Sequence, residues 1–156
     1  MKNYDYSRNG CYFVTFCVKD RKPVFCEIRQ SDNELHQPVV ELTDKGRIVD
    51  KYINRINEVY KNVSVDDYVI MPDHVHLLLS IERPYEKDRI CSDVSVSTII
   101  KSTKSMISKE LNGFVWQKSF YDEIIDNENA YEKAIQYIAD NPVLWFLRNK
   151  SKHTPL

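Results

Sequence analysis

The stretch that decides the fold is Asn62-Val-Ser-Val-Asp-Asp-Tyr-Val-Ile-Met-Pro-Asp-His-Val-His-Leu-Leu-Leu-Ser-Ile81. Two runs rich in apolar and β-branched residues, 62–70 and 74–81, flank Met71-Pro72-Asp73. Parallel strands need a long crossover, and this spacer is far too short for one, so the two runs must form an antiparallel hairpin. Upstream, Cys11-Tyr-Phe-Val-Thr-Phe-Cys-Val18 places large residues on both alternating faces, as a strand covered on both sides does. Between them, residues 19–42 read as a long irregular loop interrupted by Pro23 and Pro38, with a short strand near 39–42. A helix over 43–60 follows, with Ile48, Val49, Tyr52, Ile53, Ile56 and Val59 at helical spacing and Thr43 as its N-cap.

Beyond the hairpin, a charged loop over 82–94 leads to a second helix, 95–111. This helix turns Val96, Ile99, Ile100, Met106, Ile107 and Leu111 toward a core, and Asn112-Gly113 stops it. A last strand lies within 114–125. The final helix, 127–140, is expected to end against Asn141-Pro142, because a residue before proline disfavours helical geometry. Strand, helix, strand, strand, helix, strand, helix is the order of a ferredoxin-like α+β fold. That fold is an antiparallel sheet with helices on one face, here with an added C-terminal helix, in a single domain over residues 1–156.

Composition narrows the function. At 42% hydrophobic and 29% charged, the chain can build one ordinary soluble core. No apolar run approaches the roughly 18 residues of a membrane span, and the first residues lack the apolar core of a signal peptide. A cytoplasmic protein is expected. Gly10, Gly46 and Gly113 are too scattered for a phosphate-binding loop or a dinucleotide fingerprint. Cys11, Cys17, Cys26 and Cys91 form no CxxC pair and read as reduced thiols. A net charge of −1 makes no global case for nucleic acid.

His74-Val75-His76 carries the sharpest chemistry. On a strand, residues two apart share a face with Cα atoms roughly 6.7 Å apart, so both imidazoles can converge on one ion. The spacing alone leaves two readings open, a metal pair or two polar side chains beside a turn. Two ligands also make an incomplete site. On the final helix, Ala134, Ile138, Tyr131, Ile135 and Ala139 form an apolar stripe. Tyr137 lies off that stripe with Asn141 one turn on. Such a tyrosine can be a nucleophile or simply a partly exposed ring. Tyr131 is expected to be packed with its hydroxyl occupied, and Tyr121 to be fixed in the last strand.

Tyr68-Val-Ile-Met-Pro-Asp-His-Val-His-Leu-Leu-Leu79 resembles the His-hydrophobic-His signature of single-tyrosine HUH transposases. Trp116-Gln117, Phe120-Tyr121-Asp122, then Tyr137-Ile138-Ala-Asp-Asn141-Pro142 with Trp145 resemble their catalytic-tyrosine region, most nearly that of the REP-associated tyrosine transposase branch. The likeness runs from about Tyr12 to Trp145 with elements in the expected order. It implies that His74 and His76 are metal ligands and that Tyr137 is the nucleophile. Asn141 stands where insertion-sequence relatives carry a glutamine that completes the site, and the shorter side chain puts that role in question. Asp73 stands where REP-associated relatives often have Asn.

The chemistry so implied is strand transfer on single-stranded DNA, with a hairpin expected in the substrate. A phenol titrates near 10 and needs help to attack at neutral pH. Imidazoles by themselves favour zinc or other transition metals, whereas the resemblance implies a divalent Mg2+ or Mn2+ cofactor. Lys101, Ser102, Ser105 and Lys109 on the second helix, with Arg148 and Lys150 near the tail, are candidate phosphate contacts, and Phe120 or Tyr121 could stack on a base. The apolar stripe of the last helix must be covered, which points to a homodimer. The contrasting expectation is a regulatory single-stranded DNA-binding protein that keeps the fold without transposing.

Overall fold

A computed structural model describes residues 10–32, 37–82, 94–113 and 115–150 of the chain. In chain order its elements are β1 (Gly10–Cys17), β2 (Cys26–Gln30), β3 (Pro38–Leu42), α1 (Asp44–Val59), β4 (Val63–Ile70), β5 (His74–Ile81), α2 (Val96–Glu110), β6 (Tyr121–Ile124) and α3 (Glu128–Lys150). Four strands form one antiparallel sheet in the order β4-β5-β1-β6. With α1 between β1 and β4 and α2 between β5 and β6, this is the ferredoxin-like arrangement expected from the sequence. Among the described residues, no helix is long and apolar enough to cross a membrane.

Strand alternation sorts β5 into two faces. Val75, Leu77, Leu79 and Ile81 join Val49, Ile53 and Ile56 of α1 and Ile99, Ile100 and Ile107 of α2 in the main core. On the opposite face, Leu78 joins Cys11, Ile125, and Ala134 and Ile138 of α3 in a second cluster. His74 and His76 share that second face, so the sheet itself places them beneath α3. Of the stripe on α3, Ala134 and Ile138 are buried in this cluster, Tyr131 and Ile135 pack partly buried against it, and Ala139 is exposed.

Two local devices hold these layers. Thr43 caps α1, its Oγ1 accepting from the Gly46 N–H at 3.1 Å and donating to the Val24 carbonyl at 2.7 Å. Glycine at 46 is required by close approach, since an added Cβ would stand 2.0 Å from the Phe25 carbonyl oxygen. A bulge between Val65 and Asp67 interrupts the β4–β5 register. The Asp66 carboxylate there accepts from the Ser80 hydroxyl at 2.5 Å and the Tyr131 hydroxyl at 2.9 Å, tying α3 to the sheet.

The structure differs from the sequence reading in three places. Residues 19–42 are not one loop: β2 and β3 pair antiparallel, with Cys26 opposite Leu42 and Gln30 opposite Pro38. Their alternation, Cys26-Glu27-Ile28-Arg29 and Val40-Glu41-Leu42, is only three or four residues long and so gives a weak strand signal. Met106 and Val59, expected to face the core, are exposed, so both helix stripes are narrower than their apolar residues suggest. Most consequentially, α3 does not stop at Asn141 but runs through Pro142 to Lys150. Proline removes only the hydrogen bond to the Ile138 carbonyl and crowds that turn. The extra turns pack instead, bringing the Trp145 ring within 6.3 Å of His74. The expected loop over 82–94 lies almost wholly outside the described residues, as does Cys91.

Candidate active site

The site begins in the β1–β5 register, which sets Thr15 opposite His76, Cys17 opposite His74 and Phe13 opposite Leu78. Each histidine then has its Nδ1 engaged. His74 Nδ1 lies 2.6 Å from Asp73 Oδ1, and His76 Nδ1 lies 2.8 Å from Thr15 Oγ1. What remains on each ring is Nε2, and these two atoms face one another 3.1 Å apart. Both side chains are buried, and Phe13 stacks on His76 at 5.2 Å.

From above, α3 supplies Tyr137 and Asn141. The Tyr137 ring meets His76 edge-on at 5.2 Å and Phe13 at 5.8 Å, yet is 47% exposed, so it is positioned but open to a ligand. Asn141 is buried, its Nδ2 donating to the Tyr137 carbonyl at 2.8 Å. It lines the same cleft as His76. With Nδ2 held by the helix carbonyl, the carboxamide oxygen is the lone-pair atom that Asn141 could offer an ion. Tyr131 has its hydroxyl on Asp66, and Tyr121 is exposed on β6.

Electrostatics follow from burial and neighbours. Burial, then the nearby His74, push His76 down to about 3, with the Asn141 side chain opposing and the Arg21 charge adding to the fall. Neutral imidazole is the form that ligates metals. Burial alone would raise the Asp73 carboxyl, but its hydrogen bond and charge interaction with His74, and those with Arg21, hold it below the usual carboxylate range. Asp73 therefore stays an acceptor for His74 Nδ1, the outer partner that orients metal-binding imidazoles.

These residues fit a divalent ion. A separation of 3.1 Å is about what two nitrogens each ~2.1 Å from one ion adopt near a right angle. Among the described residues no group of three or more His, Cys, Asp or Glu side chains could hold a metal. The candidate donors are two imidazoles and a carboxamide, none of which carries negative charge. Such donors would leave the charge of a divalent ion uncompensated, the property by which it would polarise a phosphate.

The cleft holding this set encloses about 200 Å³ and is also lined by Arg21, Trp145 and Arg148. Arg148 is therefore brought to the site. Lys101, Ser102, Ser105 and Lys109 are not: they belong to α2, on the other side of the sheet. The Lys150 side chain lies outside the described residues. Phe120 packs partly buried against the main core, and Tyr121 is 76% exposed at the sheet edge.

Two site residues escaped the sequence reading. Thr15 is the lone aliphatic hydroxyl in an apolar run, and a hydroxyl withdrawn from water needs a partner. Arg21 carried no signal within Lys19-Asp-Arg-Lys22. Positive φ at Asp20 (59°) and Arg21 (54°) turns the chain back so that Arg21 Nε donates to Asp73 Oδ2 at 2.9 Å and Nη1 to Cys17 Sγ at 2.9 Å.

Comparison with known proteins bears on the fold and the family. A Haemophilus influenzae protein of uncharacterized function is 27% identical, spanning 93% of this chain and 87% of its own length. A second Haemophilus influenzae protein, assigned to the REP-associated tyrosine transposases, is 24% identical over 92% of this chain and 77% of its own. Among solved structures, a REP-associated tyrosine transposase bound to a REP hairpin shares the fold. Its TM-score is 0.59 at 20% identity, covering 86% of this chain and 67% of that one. Residues 7–141 match the family described as "Transposase IS200 like". By that match across most of its length, the chain belongs to the IS200-like transposase family, enzymes that act on DNA in transposition.

Proposed function

We propose that this transposase cleaves and rejoins single-stranded DNA bearing a hairpin, through a 5′-phosphotyrosine formed on Tyr137. The observation that carries the reading is the pair of Nε2 atoms 3.1 Å apart beneath an exposed tyrosine whose ring lies 5.2 Å from His76. The hairpin enters by likeness to the REP-associated transposase whose structure holds a REP hairpin.

His74, His76 and Asn141 would hold Mg2+ or Mn2+. When bound, such an ion supplies Lewis-acid stabilisation of the charge that develops on the phosphate oxygens. The rest is done by the chain. Asp73 and Thr15 fix the two imidazoles, and Arg21 and Arg148 offer donors to phosphate oxygens from two walls of the cleft. Tyr137 Oη forms the new bond to phosphorus while the bond to the 3′ oxygen breaks. The phenolic proton passes to solvent, and the departing oxygen takes a proton to become a free 3′-OH. Because the phosphodiester energy is kept in the tyrosyl ester, another 3′-OH can attack it and free Tyr137, joining a new strand. One chain supplies both histidines and the tyrosine in this arrangement.

The test is covalent capture of end-labelled, hairpin-bearing single-stranded DNA by wild-type protein and Tyr137→Phe, with Mg2+, Mn2+ or EDTA, followed by peptide mass spectrometry. The expected result is an adduct on Tyr137 that needs the metal. An adduct on another tyrosine, or none with any metal, overturns the reading; in the second case a DNA-binding protein without strand transfer remains.

A further inference from the structure

A second, larger cleft of about 490 Å³ lies beside Tyr137, lined by residues of α3, β1 and β6. Its size falls in the roughly 300–1,000 Å³ range of small-ligand sites. It shares Thr15, His76 and Tyr137 with the smaller cleft, so the two adjoin at these residues. Their linings differ in kind. The smaller one presents histidines, a carboxamide and two arginines, groups suited to a phosphate. In the larger one Phe13, Ile125, Ala130 and Ala134 form an apolar lining, continuous with the second core cluster, in which Ala130 and Ala134 are small side chains one helical turn apart. Glu123 and Lys133 stand at this lining, one an acceptor and the other a donor.

We infer that the larger cleft is a nucleobase subsite, taking the base of the nucleotide whose phosphate lies against the histidines. The inference rests on the proposed single-strand chemistry and deepens it. A nucleotide joins a charged phosphate to a flat, apolar-faced base with polar edges, and the paired clefts offer that combination in the same order. The base lies against Phe13, while Glu123 and Lys133 meet hydrogen-bonding groups on its edge. Phe13 also stacks on His76 at 5.2 Å and contacts Tyr137 at 5.8 Å, so the base-bearing wall is continuous with the reacting groups. Seating the base would fix the rotation of the adjoining sugar and hold the scissile phosphate in line with Tyr137. The subsite thus serves positioning as well as affinity.

The test needs no knowledge of the hairpin. The full chain is titrated with dAMP, dCMP, dGMP, dTMP and 2-deoxyribose 5-phosphate, followed by amide shifts in NMR. At least one nucleotide should bind about fivefold or more tighter than the sugar phosphate, as stacking contributions imply. Its shifts should centre on Ala130, Lys133 and Ala134. Ala130→Leu, which enlarges a side chain in this lining with a good helix former, should bring the nucleotide down to the affinity of the sugar phosphate and leave the latter unchanged. Equal binding of the sugar phosphate and all four nucleotides, or base-dependent shifts remote from α3, overturns the subsite, and the wild-type comparison decides this whether or not the variant folds. Base-dependent binding without any covalent capture would retain the subsite and defeat the strand-transfer reading; capture without base dependence would do the reverse.

Discussion

The burial of His76 makes a quantitative prediction about acid. In the folded chain this imidazole titrates at about 3, against 6.5 for an ordinary histidine. Between those values the unfolded chain binds a proton that the native chain refuses. Stability is therefore complete above the unfolded value and declines as pH falls toward the folded one. At about pH 5 the unfolded state is favoured by about 1.5 pH units of proton binding, which at 1.36 kcal/mol per unit is about 2 kcal/mol. The comparison is urea unfolding of wild type and His76→Asn, in chelator, at about pH 7.5 and about pH 5. The buried indole of Trp116, packed against Phe16 and Phe25, serves as the fluorescence probe. Asn keeps a group near Thr15 but cannot titrate. Its loss between the two pH values should be about 2 kcal/mol smaller than that of wild type, whatever the variant costs at neutral pH. An identical pH dependence in both proteins would refute the argument, because His76 would then titrate alike in native and unfolded chains.

Three further outcomes are expected. Asp73→Asn removes the charge that orients His74 and pairs with Arg21; it should weaken Mn2+ binding about 10- to 100-fold by calorimetry, and an unchanged affinity would remove Asp73 from the site's support. Gly46→Ala should destabilise even though alanine favours helix by about 1 kcal/mol, because its Cβ would meet the Phe25 carbonyl at 2.0 Å; a raised melting temperature would contradict that close approach. Tyr131→Phe removes the hydroxyl that donates to Asp66 and should cost about 1 kcal/mol in denaturant unfolding, with no loss expected if the clasp does not hold α3 to the sheet.

The β4–β5 hairpin, both amphipathic helices and the shared face of His74 and His76 were legible without coordinates. Each is set by spacing along the chain: a three-residue connection, a 3.6-residue repeat or a two-residue repeat. So was the packed hydroxyl of Tyr131, which follows from its place in the apolar stripe. What surrounds the histidines was not legible. Thr15 and Phe13 meet His76 because β1 inserts between β5 and β6, and Arg21 reaches Asp73 because a left-handed turn reverses the chain. Those neighbours lie far apart in sequence, and no local period records which strand will lie beside which. The helix through Pro142 is the clearest case of tertiary override. Judged locally, Asn141-Pro142 should end it. The lost hydrogen bond and steric strain are offset by packing that only the folded chain provides, with Asn141 buried against His76 and Trp145 laid beside His74. Local propensity is a sum over neighbours in sequence, whereas the site is assembled from neighbours in space.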